Sequence, residues 1–171
     1  MEFIIYLFVF GVLLFFVAYD IFYKAAKVWE KKISFYVAAD INEVYAYLAT
    51  PQLWEKWFEY GSESIIFHLL GELRGTGALQ KWTNRDIEGS LSIVFHTTNK
   101  EVHYIWKENE YIVQSFFSLV ADGANRTEIH WRHIHSVTKR NKSSANIKNF
   151  RNWYQLRIEK SREKLQKIFK N

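Results

Sequence analysis

The chain opens on an unbroken apolar run. From Phe3 to Tyr19 no residue is charged (FIIYLFVFGVLLFFVAY), and Ile21, Phe22 and Tyr23 continue the run past Asp20. As a helix, Phe3 to Tyr23 spans roughly 31 Å, about the thickness of a bilayer's hydrocarbon core. Glu2 precedes the run, and Tyr19-Asp20 stands where a leader peptidase would need small residues. The pattern therefore predicts an uncleaved transmembrane anchor over residues 1–23 rather than a signal peptide. Lys24, Lys27, Lys31 and Lys32 follow at once. Basic flanks favour the cytoplasmic side, so these lysines are expected to face the membrane surface of a single-pass protein whose C-terminal part is cytoplasmic. Asp20, one turn before them, reads as an interfacial carboxylate.

Beyond a basic juxtamembrane segment at 24–31 the periodicity changes. Lys32 to Ala39 (KISFYVAA) is short and rich in β-branched and aromatic residues, which predicts a strand. Asp40 then offers a helix cap, with Glu43 three residues on, and predicts a helix from Ile41 to Ala49. Thr50-Pro51 restarts a helix that runs through Trp54 and Trp57 to about Phe58. From Ser62 to Thr138, short segments alternate with turn signals at Gly71, Gly75-Thr-Gly77, Asp86 to Gly89, Asn99-Lys100, Glu108-Asn109 and Asp122-Gly123. That spacing predicts an antiparallel meander. Its strands are expected at Ser64–Leu73, Thr76–Asn84, Gly89–Thr98, Glu101–Lys107, Tyr111–Ala121 and Arg126–Thr138. Finally, Ile147, Phe150, Tyr154, Ile158, Leu165 and Ile168 recur at helical spacing and predict a long amphipathic helix from Asn146 to Lys170.

Composition sharpens this picture at three points. The 171 residues hold 14 Phe, 10 Tyr and 7 Trp, which suits a chain folding around something apolar and excludes disorder. No cysteine is present, so disulfides, thiol catalysis and Cys-ligated metal centres are excluded. Up to Thr138 there are 12 basic and 16 acidic residues, net −4, whereas 11 basic residues against 2 acidic ones beyond it give +9. Positive charge thus belongs to the C-terminal helix, where it suits either a solvated face or an anionic membrane surface. With no recognisable nucleic-acid module, nucleic acid is not an expected partner.

The order strand, two helices, six strands, long helix (βααββββββα) is that of an α+β helix-grip domain. The segments KISFYVAADINEVYAYLATPQLWEKWF, GTGALQKW and LVADGANRTEIHW resemble the polyketide cyclase/dehydrase and lipid-transport superfamily, also called START-like or SRPBCC. Val44, Trp54, Trp57, Gly75, Gly77, Trp82, Thr127 and Trp131 fit its pattern. Ile41 stands where proline is usual, Tyr45 replaces a tryptophan and Arg126 a glycine. The resemblance covers residues 32–171 and implies a curved antiparallel sheet gripping the last helix around a cavity for a hydrophobic small molecule, such as a lipid, isoprenoid or polyketide-like compound. It implies no shared catalytic set.

Strand parity supplies candidates for that cavity. Thr127, Ile129, Trp131, His133, His135 and Val137 share one face of the last strand. His133 and His135 are then polar groups near the cavity, able to orient a ligand or act as acid–base in a cyclase or dehydratase reaction. No carboxylate completes a metal site with them, and neither metal nor cofactor is expected. His96, on a face with Ser92 and Val94, is expected to line the cavity, and the full expected lining is Trp57, Trp82, His96, Phe117, Trp131, His133 and Tyr154. Gly75-Thr-Gly77 is not a phosphate loop, since Lys81-Trp82 is not the Gly-Lys-Ser/Thr ending. A domain filled by its own aromatics, acting as a membrane-tethered interaction module, is the alternative that a closed interior would favour.

Overall fold

Alternation of apolar and polar side chains builds a single sheet here. In a computed structural model describing residues 11–12, 14–15, 28–61, 65–84, 87–109, 111–137 and 144–170, seven strands pair antiparallel: β1 (Val28–Val37), β2 (Ile66–Gly71), β3 (Ala78–Asn84), β4 (Ile87–Thr97), β5 (Glu101–Glu108), β6 (Tyr111–Ala121) and β7 (Thr127–Val137). Their spatial order is β1-β7-β6-β5-β4-β3-β2, so the first strand closes against the last and β2 forms the far edge. Between β1 and β2 lie helix α1 (Ile41–Ala49), a 3-10 turn (Pro51–Leu53) and one turn of helix, α2 (Trp54–Trp57). Helix α3 (Ser144–Ile168) follows β7 and packs across the sheet.

The element order thus differs from βααββββββα by one piece. The predicted second helix divides into a 3-10 turn, opened by Pro51 with its fixed φ, and a single α turn that the extended backbone at Phe58 stops. Strand β1 also begins at Val28, upstream of the predicted start at Lys32. Trp29, Lys31 and Ile33 share the inward parity of Phe35 and Val37, so Lys31 and Lys32 belong to a paired strand rather than to a separate segment. Among the described residues no helix is long and apolar enough to cross a membrane. The predicted anchor at 1–23, apart from residues 11, 12, 14 and 15, lies outside them, as do Lys24 and Lys27.

Local chemistry explains these elements. Asp40 caps α1 by accepting from the backbone N–H groups of Asn42 (2.7 Å) and Glu43 (3.1 Å), which holds its carboxyl below the usual range. Every second residue is buried along β5, in β6 from Val113 to Leu119 and in β7 from Thr127 to His135, and α3 buries Phe150, Tyr154, Ile158 and Leu165 as its period requires. Ser161 fills the polar gap in that stripe. Its hydroxyl donates to the Arg157 carbonyl (2.8 Å) and accepts from the Glu59 N–H (2.9 Å), joining α3 to the segment after α2.

One glycine matters for packing. The Trp82 indole lies flat against Gly89 on the neighbouring strand, and a methyl group there would sit 2.2 Å from Trp82 Cε2. Gly89→Ala is expected to cost about 1–3 kcal/mol by overpacking. A lowered midpoint in chemical denaturation, with tryptophan emission as the probe, would show it.

Candidate functional site

Register stacks the inward side chains of β5, β6 and β7 into rungs. Val102, Phe117 and Trp131 form one rung, Tyr104, Ser115 and His133 the next, and Trp106, Val113 and His135 a third. Glu108 and Tyr111 pair on a fourth, where Asn109 turns the hairpin in the left-handed conformation that asparagine tolerates (φ 51°). The sequence places these types by simple alternation, but only pairing lines them up.

The lower rungs are closed by rings. Trp57 sits 6.1 Å from Trp131 and 5.8 Å from Phe117, and Phe117 stacks on Trp131 at 4.5 Å. All three are fully buried, as is Trp82, which packs on Tyr60 at 5.1 Å. Next to them, His133 is wholly buried, with Nδ1 2.8 Å from Ser115 Oγ and 3.3 Å from the Tyr154 hydroxyl. Burial, with the nearby Lys31 charge adding to it, pushes the His133 pKa well down, so the ring is neutral at physiological pH. The same burial raises the Tyr154 hydroxyl, which stays protonated. His133 Nε2 and the indole N–H groups of Trp106 and Trp131 are buried without a protein hydrogen-bond partner. Buried polar atoms left in this state are uncommon, because each forfeits its bond to water.

The upper rung opens outward. A cleft of about 360 Å³ is lined by Glu108, Asn109, Tyr111, Asn149, Phe150 and Trp153. Tyr111 and Phe150 stack face to face at 3.8 Å and 4°, and Phe150 also lies against His135 (4.4 Å) and Trp106 (6.0 Å). Behind the cleft, Arg157 Nη1 donates to Glu108 Oε2 (2.8 Å) and Nη2 to the Tyr60 carbonyl (2.5 Å). The guanidinium lies over the Trp153 ring at 3.9 Å. Burial raises the Glu108 carboxyl while Arg157 pulls it back down. The cleft therefore offers aromatic walls, two amides and one carboxylate, and the cluster of His133 with the Ser115 and Tyr154 hydroxyls lies two rungs below without lining it.

Of the seven expected lining residues, the structure gathers Trp57, Phe117, Trp131, His133 and Tyr154 into one contiguous group. Trp82 lies to one side of it, near Glu108. His96 lies farther along β4: a bulge between Ile93 and Phe95 resets parity and places it opposite Val102, on the inward face rather than on that of Ser92 and Val94, where its ring meets the Gly75-Thr76 turn instead of the group around Trp131. Its Nδ1 accepts from the Thr76 N–H (2.8 Å), and its ring packs against Gly75 where a Cβ would clash. It anchors that turn. His135 is buried against Phe150 and Tyr111. Lys32 is exposed and pairs with Glu30 at 3.2 Å, whereas Lys31 is half-buried under α3, 4.0 Å from Glu159.

Sequence reasoning missed Glu108, Arg157, Tyr111 and Trp153. Glu108 continues the inward parity of Tyr104 and Trp106, a signal hidden by its place beside a turn asparagine. Arg157 flanks the apolar stripe at Ile158 but reads as one more basic residue on a basic helix. A second groove of about 500 Å³, on the outer face of the sheet, holds His103, Phe116, His130 and Arg132. Its polar side chains are engaged with neighbours, Arg132 with Glu30 (2.9 Å), His103 with Glu101 (3.1 Å) and His130 with Ser34 (2.8 Å). Among the described residues no cluster of three or more His, Asp or Glu could hold a metal.

Comparison with solved structures places this architecture. A START superfamily protein from Mycobacterium smegmatis superposes with a TM-score of 0.59 at 11% identity, over 82% of this chain and 99% of that one. The fold is START-like. A protein from Chromobacterium violaceum matches with a TM-score of 0.59 at 10% identity, over 83% of this chain and 97% of its own. A norcoclaurine synthase from Thalictrum flavum, solved with a transition-state analogue, matches at 0.50 and 13% identity over 65% of this chain and 77% of that one. No family model matches the sequence, and no curated protein matches it. At these identities the likeness is one of START-like fold, and function has to be argued from the site.

Proposed function

We propose that this chain is a membrane-anchored, cytoplasmic START-like domain that binds a hydrophobic small molecule, of lipid, isoprenoid or polyketide-like type, between the sheet and α3. The observation carrying this reading is the aromatic cleft at Glu108, Tyr111, Phe150 and Trp153, whose Phe150 and Trp153 walls rest on Trp106, an indole with a buried N–H that has no protein partner. An apolar ligand bearing one or two polar groups matches such a site, since aromatic walls supply affinity and a few fixed polar atoms supply orientation. The START-like fold supports the same reading by analogy.

Mass spectrometry under native conditions on the detergent-solubilised full chain, with lipid extraction, tests it. A stoichiometric apolar ligand is expected, and Tyr111→Ala should weaken its retention by about tenfold, the equivalent of about 1.4 kcal/mol for one lost ring stack. An empty protein that also fails to take up anilinonaphthalene sulfonate would overturn the reading in favour of an interaction module.

A second reading, a cyclase or dehydratase, is favoured by one arrangement. His133 is neutral, and its Nδ1 adjoins the Ser115 and Tyr154 hydroxyls, so hydrogen bonds hold an imidazole, the side chain best suited to acid–base work, at a fixed orientation in the interior. Should the captured ligand be converted, His133→Gln is expected to abolish turnover while sparing capture. Equal loss of both would assign His133 to binding alone.

A further inference from the structure

Strand register fixes which end of the domain the anchor reaches. Val28, the first residue of β1, lies opposite Ser136, which lies opposite Ile112 on the next strand. Strands are about 4.8 Å apart, so Val28 stands about 10 Å from the backbone of Ile112, the neighbour of the cleft residue Tyr111. Trp29 follows and meets Tyr154 edge-on at 6.3 Å, beneath the same cleft. The last rung of β5 and β6 and the first turns of α3, which carry the cleft, are thus at the end of the sheet where the chain arrives from its N-terminal side.

The length of the intervening chain settles the rest. Only residues 24–27 separate Tyr23 from Val28. Whatever their conformation they reach at most about 18 Å. The opposite end of the sheet, at the β6–β7 turn, is about 34 Å further along β6. Two exposed apolar side chains of α3, Trp153 (37% exposed) and Leu156 (64%), lie at and just beyond the cleft, and the exposed Lys148 precedes them. The sequence joining β7 to α3, Thr-Lys-Arg-Asn-Lys-Ser, adds Lys139, Arg140 and Lys142 between Val137 and Ser144. Tryptophan beside basic residues is the composition that suits an anionic lipid–water interface.

We infer that the cleft mouth faces the bilayer that holds the anchor, so that the ligand passes between an anionic leaflet and the space under α3 without crossing bulk water. This inference rests on the proposed anchor and ligand site. It adds an orientation that neither the anchor nor the ligand site states by itself, because it follows from the strand register and the short reach of residues 24–27.

The absence of native cysteine makes a clean test possible. The full chain carrying Asn152→Cys, on the exposed face of α3 beside the mouth, or Asn125→Cys, in the β6–β7 turn, is labelled with a fluorophore. Each is reconstituted into phosphatidylcholine vesicles containing a minor fraction of phosphatidylserine and a head-group nitroxide quencher. Loss of emission is expected at position 152, with emission at 125 retained. Equal quenching at both positions, or stronger quenching at 125, overturns the orientation, and a third label at Lys100→Cys in the β4–β5 turn guards against a local artefact at 125. Failure of the chain to float with the vesicles would instead sink the anchor. Flotation and the expected quenching with no captured lipid would sink the ligand reading while leaving the orientation standing.

Discussion

Arg157→Met is expected to destabilise the domain by about 3–5 kcal/mol at neutral pH, because it strands the Glu108 carboxylate in the interior. Arg157 and Glu108 are 3% and 5% exposed, and the guanidinium also holds the Tyr60 carbonyl. Methionine keeps the apolar stem against Trp153 and Trp106, so the loss reports the charge and its hydrogen bonds more than the packing. The pH dependence has a definite sign. Burial raises the Glu108 pKa in the folded state, and without Arg157 the rise is larger. A carboxyl that binds its proton more tightly when folded stabilises the fold below its unfolded pKa, and that contribution is lost as pH rises through the folded value. The variant's deficit should therefore shrink on acidification, as Glu108 protonates. Urea denaturation across the acidic range checks this, and adding Glu108→Gln to Arg157→Met should recover a large part of the loss at neutral pH. A pH-independent deficit would assign the effect to packing alone.

Trp131→Ala should cost a comparable amount, about 3–5 kcal/mol, by opening a cavity in the middle of the sheet. Trp131 is 2% exposed and touches Phe117 and His133, which strand register holds in place, and Trp57, which the turn of α2 seats on them. Little collapse can follow. A dry apolar cavity of this kind accepts a small aromatic, so indole should raise the thermal midpoint of Trp131→Ala and leave that of the unaltered chain nearly unchanged at this position. Calorimetry with and without indole reads both. Stabilisation of the unaltered chain by indole to the same extent would show that the interior around Trp131 already opens to ligands, and would extend the binding site down from the Glu108 cleft into the lower rungs.

Much of this architecture is legible in the sequence because its causes are local. Asp40 with Glu43 starts α1, Pro51 opens the following turn, and the alternation of Thr127, Ile129, Trp131, His133 and His135 places all five on the inner face of β7, where the structure has them buried. The stripe from Phe150 to Leu165 orients α3 in the same way. Errors arose where one residue changes the period. The bulge at Ile93/Phe95 inserts a residue that no alternation rule registers, and it puts His96 on the inward face of Leu91 and Ile93, whereas alternation groups it with Ser92 and Val94. Glu108 was lost to the turn because its pairing with Tyr111 extends β5 by one residue.

The sequence alone, then, determined the run of seven strands and the long last helix, most inward faces of the strands and helix, and an aromatic interior with histidines in it, since each follows from spacing within a dozen residues, whereas the second predicted helix divided into a 3-10 turn and one α turn. Tertiary structure decided which polar groups meet. Arg157 reaches Glu108 across 49 residues, and Ser115 reaches His133 across 18, through strand register and the crossing of α3. Those long-range choices are set by the packing of the whole sheet against one helix, and no local pattern encodes them. The rings closed the lower rungs and left the upper one open because Phe150 and Tyr111 stack at the edge of the grip, where the hairpin turn at Asn109 ends the sheet.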